Sequence, residues 1–134
     1  MKIVFYLLLT VSLSFGTVLD DYLANLSKEV KSKNSNFEGF DAKRGEVIFT
    51  STHKGKKGEM ISCVSCHNND LTQSGKNSFT GKVIEPLSPK ANPARLTEAK
   101  TIDKWLRRNF NDVYNREGTA QEQGDVLTYI LSKD

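Results

Sequence analysis

Cys63-Val64-Ser65-Cys66-His67 is the stretch on which the reading of this chain turns. Two thiols three positions apart, with an imidazole directly after the second, suit three kinds of chemistry. A dithiol redox centre would use the cysteines alone and would need a strand–helix–strand setting. A structural zinc site would need further ligands, and the chain holds only two histidines, His53 and His67. The third is covalent capture of one c-type haem. Each thiol then forms a thioether with a vinyl group, and the adjacent imidazole comes up beneath the iron as an axial ligand. The spacing C-x-x-C-H meets this third requirement, and the surroundings of the motif favour it.

Outward toward the N-terminus, Met1-Lys2 is followed by an almost unbroken apolar run from Ile3 to Val11. Small residues, Ser14 and Gly16, then precede the polar segment that begins at Thr17. A basic start, an apolar stretch and small residues read as a secretory signal over residues 1–16, with residues 17–134 as one mature domain. A retained membrane anchor is the alternative, but the apolar run is short for a bilayer. Export implies the periplasm, where an unprotected Cys pair would oxidise. Attachment to a cofactor protects it.

The whole chain has 134 residues, a length that fits one domain and excludes a large multidomain enzyme. Residues 17–134 carry 18 basic against 16 acidic side chains, too small an excess to argue for nucleic acid. Only 37% of the chain is hydrophobic, so its own core is modest and a buried cofactor would complete it.

The periodicity is helical. Leu19, Tyr22, Leu23, Leu26 and Val30 predict a helix over 18–31, and a second is expected from Asp41 to Thr50. Gly45 lies inside that second helix, where glycine costs about 1 kcal/mol of propensity. Close approach by another element would explain it. Residues 52–59 read as an exposed basic loop, and residues 68–93 as a long irregular segment holding Pro86, Pro89 and Pro93. Thr97 is a candidate cap for a third helix that places Ile102, Trp105, Leu106 and Asn109 on one face. Thr119 and Glu122 form a capping box for the last helix, whose apolar stripe is Val126, Leu127, Ile130 and Leu131. No alternating strand is evident. The expectation is an all-α domain of about four helices with long loops wrapped around covalent haem.

The second axial position decides the chemistry. The methionines are Met1 and Met60, and Met60 reads as a loop residue before the motif. No Met or His follows His67. Asn109 is a polar amide on an apolar face, which is costly unless paired. Haem iron is one partner. A hydrogen bond to a propionate or to backbone is the other. His53, in a polar loop, reads as exposed and is the lesser axial candidate. Asn111 and Asn115 read as surface or turn residues. Trp105 reads as lining the haem edge, bonding a propionate or filling the core. Ile84, Pro86 and Leu87 are expected to cover the pocket, and Phe110 to line it.

Several stretches together, Gly45–Phe49, Ser62–His67, Thr80–Leu87, Pro93–Thr97 and Lys104–Asn109, resemble the Sphaeroides haem protein family, soluble class I-like cytochromes c. The T-G-K-x-I-x-P-L and K-W-L-x-R-N patterns are the specific part. The resemblance implies a class I cytochrome c fold with Gly45 and Phe49 packed on the last helix near Tyr129. It also implies that Asn109 is an axial ligand that leaves on reduction and lets oxygen or another diatomic bind. The implied partners are a dihaem cytochrome c and a membrane cytochrome b. The best-known members of that family carry a disulfide just after the ligating Asn. Phe110 stands at its first position here, and no Cys follows Cys66. The expected function is electron transfer with small-ligand binding. The alternatives are a plain carrier with a permanent sixth ligand, or an enzyme reducing oxygen, peroxide or nitric oxide. An enzyme would need an acid–base group near the iron, and His53 is the one remaining imidazole.

Overall fold

The computed structural model describes residues 17–134, so the signal segment lies outside the described residues. Helix α1 is Val18–Lys33. Thr17 Oγ1 accepts from the Asp20 N–H at 3.1 Å, and the Asp20 carboxylate accepts from the Thr17 N–H at 2.8 Å. Asp20 and Asp21 in the first turn and Lys31 and Lys33 in the last complement the helix dipole. Helix α2 is Ala42–Thr50, capped by Asp41 through the Arg44 N–H at 2.8 Å.

Two small hairpins follow where the sequence showed no strand. His53–Lys54 (β1) pairs antiparallel with Met60–Ile61 (β2), and Gly75–Lys76 (β3) with Val83–Ile84 (β4). Strands of two residues are too short to leave an alternating pattern. The segment 52–59 is therefore no free loop. The Lys56 N–H donates to the Asp112 carbonyl at 3.0 Å, which fastens the first hairpin to the next long helix. Between the hairpins lies a single helical turn, Val64–His67 (α3), formed by the motif itself.

Helix α4 is Ala99–Tyr114, and α5 is Ala120–Leu131. Glu98, not Thr97, is the N-cap of α4. Thr97 Oγ1 instead donates to the Ala94 carbonyl at 2.9 Å. Leu96 just before it is left-handed (φ 60°), so the chain is still turning when it reaches Thr97. The capping box of α5 forms as the sequence predicts. Counting α3, there are five helices among the described residues, and the domain is predominantly helical.

The core is built where α2 crosses α5. A Cβ on Gly45 would stand 2.0 Å from the Asp125 carbonyl oxygen and 2.8 Å from Tyr129 Cβ, so only glycine lets the two backbones touch. Phe49, one turn on, meets the Tyr129 ring at 5.3 Å. Asp125 is buried and accepts from the Asp41 N–H at 2.7 Å and from Arg44 Nε at 2.8 Å. Ile102, Leu106 and Phe110 of α4 complete the cluster with Leu127 and Ile130. The irregular segment is held at two points. The Ser88 N–H donates to the Leu71 carbonyl at 2.9 Å, and Ser88 Oγ donates to the Asp134 carboxylate. No helix of the described residues is long and apolar enough to cross a membrane.

Gly45→Ala tests the crossing. Alanine would favour the isolated helix by about 1 kcal/mol. Overpacking at a backbone contact costs about 1–3 kcal/mol or more. The expected result is a net loss of stability in guanidinium unfolding. A variant as stable as the parent would show that the helices can part cheaply.

Candidate haem site

The motif is aligned by its own turn. The Cys66 and His67 N–H groups both donate to the Cys63 carbonyl, at 3.2 and 3.0 Å, so Cys63, Cys66 and His67 fall on neighbouring positions of one helical face. Ser65 Oγ accepts from the Ser62 N–H at 3.0 Å and stiffens the entry. Asn68, with φ 72°, ends the turn. The Ser78 N–H donates to Cys66 Sγ at 3.3 Å and Ser78 Oγ to the Ser65 carbonyl at 3.0 Å, so the second hairpin holds the motif from outside. The cysteines are not joined to each other.

These side chains open on a cavity of about 820 Å³ whose other walls include Ile84, Leu87, Arg95, Trp105 and Asn109. A second space of about 390 Å³ shares Cys63, His67 and Asn109 with it and runs inward to Phe49, Phe110 and Leu127. Interiors of small domains are close-packed, so a gap of this size is a ligand's place. Burial, with Arg95 adding to it, pushes the His67 imidazole down to about 4, which keeps it neutral and able to bind a metal. Its Nδ1 is buried without a hydrogen-bond partner. Burial, followed by the charge of Cys66, pushes the Cys63 thiol up to about 12. No group of three or more His, Cys, Asp or Glu among the described residues could hold a bare metal ion, so zinc lacks its ligands. Two thiols, a neutral imidazole and an apolar slot fit haem.

The predicted pocket residues divide. Asn109 is half-buried and lines both spaces. Ile84 and Leu87 line the larger one. Trp105 stands at the wall with 44% of its surface exposed, so it does not fill the core. Pro86 is not a wall residue. It contributes its carbonyl, which accepts from Arg95 Nε at 2.9 Å. Phe110 borders only the inner space and belongs to the buried cluster. His53 is not the exposed loop residue expected. Its ring lies 4.2 Å from that of Tyr114, its Nε2 is buried and unpaired, and it borders neither space. Tyr114 is itself fixed by a 2.6 Å hydrogen bond to the Ile48 carbonyl, and this holds the imidazole away from the slot. Asn111 lines the cavity, contrary to the expectation of a surface residue, whereas Asn115 is the left-handed cap of α4. Met60 is exposed. Arg95 was missed as a pocket residue, because one arginine in an irregular segment gives no sequence signal.

Phe110 also answers for the absent disulfide. A Cβ on Gly118 would lie 2.7 Å from two carbons of the Phe110 ring, so the ring rests directly on Gly118 in the loop from α4 to α5. Packing ties α4 to that loop, one residue after Asn109.

A family model described as a domain of unknown function, DUF1924, matches residues 35–130. The cytochrome c-type protein SHP of Cereibacter sphaeroides is 42% identical over 93 residues, which cover 69% of this chain and 71% of that protein. Cytochrome c'' of Methylophilus methylotrophus is 29% identical over 102 residues, 76% of this chain and 71% of that one. The solved structure of oxidized SHP, described as an oxygen-binding cytochrome c, superposes with a TM-score of 0.74 at 36% identity, covering 88% of this chain and 99% of SHP. Oxidized cytochrome c'' superposes with a TM-score of 0.78 at 26% identity, covering 87% of this chain and 95% of that one. The chain belongs to this family of c-type cytochromes and shares its class I-like fold. Its cofactor is a single covalently bound haem c.

Phe110→Ala should cost about 3–5 kcal/mol in guanidinium unfolding of the haem-loaded protein. A cost under about 1 kcal/mol would show that the ring is not what holds the loop.

Proposed function

We propose, from membership of this family and the placement of Asn109, that the chain is an exported electron-transfer cytochrome whose distal ligand is labile. The observation that carries the reading is that the Asn109 amide lines the same slot as Cys63, Cys66 and His67, while neither His53 nor Met60 does. In this reading Cys63 and Cys66 hold the haem through thioethers and His67 is the proximal ligand. The bound haem supplies a one-electron centre and, at an open iron position, a site for a small neutral ligand.

Asn109 supplies the switch. An amide oxygen is a hard and weak donor, suited to the more highly charged ferric ion and poorly suited to ferrous iron. Its side chain makes no hydrogen bond to another described residue, so no second bond must break when it swings away. Ile84 and Leu87 give the larger space, and Leu106 the inner one, an apolar wall beside Asn109. A peroxide-reducing enzyme would call on His53, which Tyr114 keeps outside the slot. Residues 1–16 support delivery to the periplasm, where the family resemblance suggests a dihaem cytochrome c and a membrane cytochrome b as redox partners. SHP is described as oxygen-binding, which supports a diatomic ligand here.

Optical spectra of the haem-loaded protein test the switch. The ferrous form is expected to be high-spin and to shift at once with carbon monoxide. Asn109→Ala should change the ferric spectrum and leave the ferrous one nearly as it was. A ferrous protein that is low-spin and indifferent to carbon monoxide would instead establish a permanent sixth ligand, and an unchanged ferric spectrum in Asn109→Ala would remove Asn109 from the iron.

A further inference from the structure

The chain between β4 and α4 has no regular element, yet it forms one side of the slot. Leu87 borders both spaces, and Ala94, Arg95, Leu96 and Thr97 border the inner one. Residues 86–97 are braced among themselves as a strap. The Asn92 N–H donates to the Ser88 carbonyl at 2.9 Å, the Arg95 N–H to the Asn92 carbonyl at 3.0 Å, and Arg95 Nε to the Pro86 carbonyl at 2.9 Å. A piece braced in this way opens as a unit, so its freedom is set by the points that tie it to the rest of the fold.

Those ties gather at Ser88, which is wholly buried. Its N–H donates to the carbonyl of the buried Leu71 at 2.9 Å. Its Oγ donates to the Asp134 carboxylate and accepts from the Ala91 N–H at 3.4 Å. The same Asp134 oxygen accepts from the Lys90 N–H at 3.2 Å. Asp134 lies just past α5, where its own N–H donates to the Leu131 carbonyl at 3.4 Å. Helix α5 lends Val126, Leu127 and Ile130 to the inner space. A single carboxylate oxygen thus joins two walls of one space. A buried hydroxyl needs its acceptor, and a carboxylate is a strong one.

The inner space reaches the surface beside the strap, because the exposed Thr97, Glu98 and Thr101 line it together with Asn109. We propose that Asp134 and Ser88 form a clasp on the strap, and that the strap is the gate by which a small neutral ligand passes between solvent and the part of the slot that Asn109 borders. Leu87, Leu96 and Ile102 line the way, and such walls admit a neutral diatomic more readily than an ion, which would lose its hydration. When the clasp lets go, the strap is free of α5 and its edge at Thr97 can part from Thr101. Neither Ser88 nor Asp134 borders the slot, so both are positioning residues that act through the strap. The consequence at the iron rests on the labile Asn109 of the proposed function, whereas the clasp stands on the hydrogen bonds alone.

A gate and a distorted iron site leave different marks. A gate changes entry and escape by the same factor, so the affinity stays as it was. A distorted site changes the affinity itself. Losing a hydrogen bond to a charged acceptor shifts a local opening equilibrium by about tenfold or more. Asp134 is exposed, so its replacement removes the clasp without leaving a hole in the core.

The test is carbon monoxide binding to the ferrous haem-loaded protein, with entry read by flash photolysis and escape by displacement with nitric oxide. In Asp134→Ala both rates should rise by the same several-fold factor, with the affinity of the parent. Ser88→Ala should do likewise, and the double variant should be no faster than either single one, since both remove one bond. Asp134→Asn keeps an acceptor oxygen and should stay closer to the parent. Unchanged rates in Asp134→Ala, or a change in only one of them, overturn the gate. Amide hydrogen exchange reads the clasp without any ligand at the iron. The Ala91 and Asn92 N–H groups should exchange about tenfold faster in Asp134→Ala, while the amides of α2 keep the parent's rates. Unmoved exchange at Ala91 and Asn92 overturns the clasp. A parent protein indifferent to carbon monoxide would remove the gate together with the labile Asn109. A variant that binds carbon monoxide at the parent's rates would remove the gate alone.

Discussion

Contact between α2 and α5 is the constraint on which the remaining structure depends. At Gly45 the backbone of α2 lies on the Asp125 carbonyl, with no room for a single methyl group. Asp125 then closes the contact from the other side by accepting from the Asp41 N–H and the Arg44 guanidinium. One carboxylate thereby caps the crossing and satisfies the start of α2. Once the crossing angle is set, Phe49 faces Tyr129 and, at 6.1 Å, the His67 ring. The floor of the haem slot is thus positioned by helices that contribute no ligand to it.

The slot itself is a set of groups out of their ordinary state. His67 is neutral and has an unpaired Nδ1, Cys63 is a half-buried thiol, and Arg95 is a half-buried cation without a carboxylate partner among the described residues. In a finished core each would be destabilising. Together they describe what is to be inserted: a soft covalent attachment through two sulfurs, a metal for the imidazole, an apolar disc for the walls and a negative edge for the arginine. Family membership agrees with that description, and the fold match to SHP and cytochrome c'' extends over most of the chain.

The same packing explains how this chain does without the disulfide that its resemblance implied. Phe110 is buried on Gly118 and lies tilted against Tyr114 at 5.5 Å, and Tyr114 is anchored to the Ile48 carbonyl. An aromatic chain of contacts holds the end of α4 where a covalent bond would otherwise do so. Such contacts are individually weaker than a covalent bond, and the hydrogen bonds from Lys56 N–H to the Asp112 carbonyl and from Tyr114 to the Ile48 carbonyl fasten the same end of α4. The side effect is to sequester His53, whose ring lies against Tyr114 and away from the slot that His67 borders.

Local rules were legible in the sequence because they act over a few residues. The C-x-x-C-H turn, the capping box of α5, the apolar stripes and the misplaced glycine at position 45 all declare themselves through spacing. Residue Asn109 could be singled out because a polar amide stood on an apolar face. What failed was whatever depends on partners distant in sequence. Thr97 lost its capping role to a turn made by Leu96, and His53 exchanged exposure for a place against Tyr114. Pro86 turned out to act through its carbonyl, and Arg95 became significant only when the loop at residues 85–87 folded over it. The sequence by itself therefore determined the helices, the attachment chemistry and the family. Which side chains border the slot, and which cation is left there without an anion, the tertiary structure alone decided, because desolvation is a property of surroundings that no local pattern encodes.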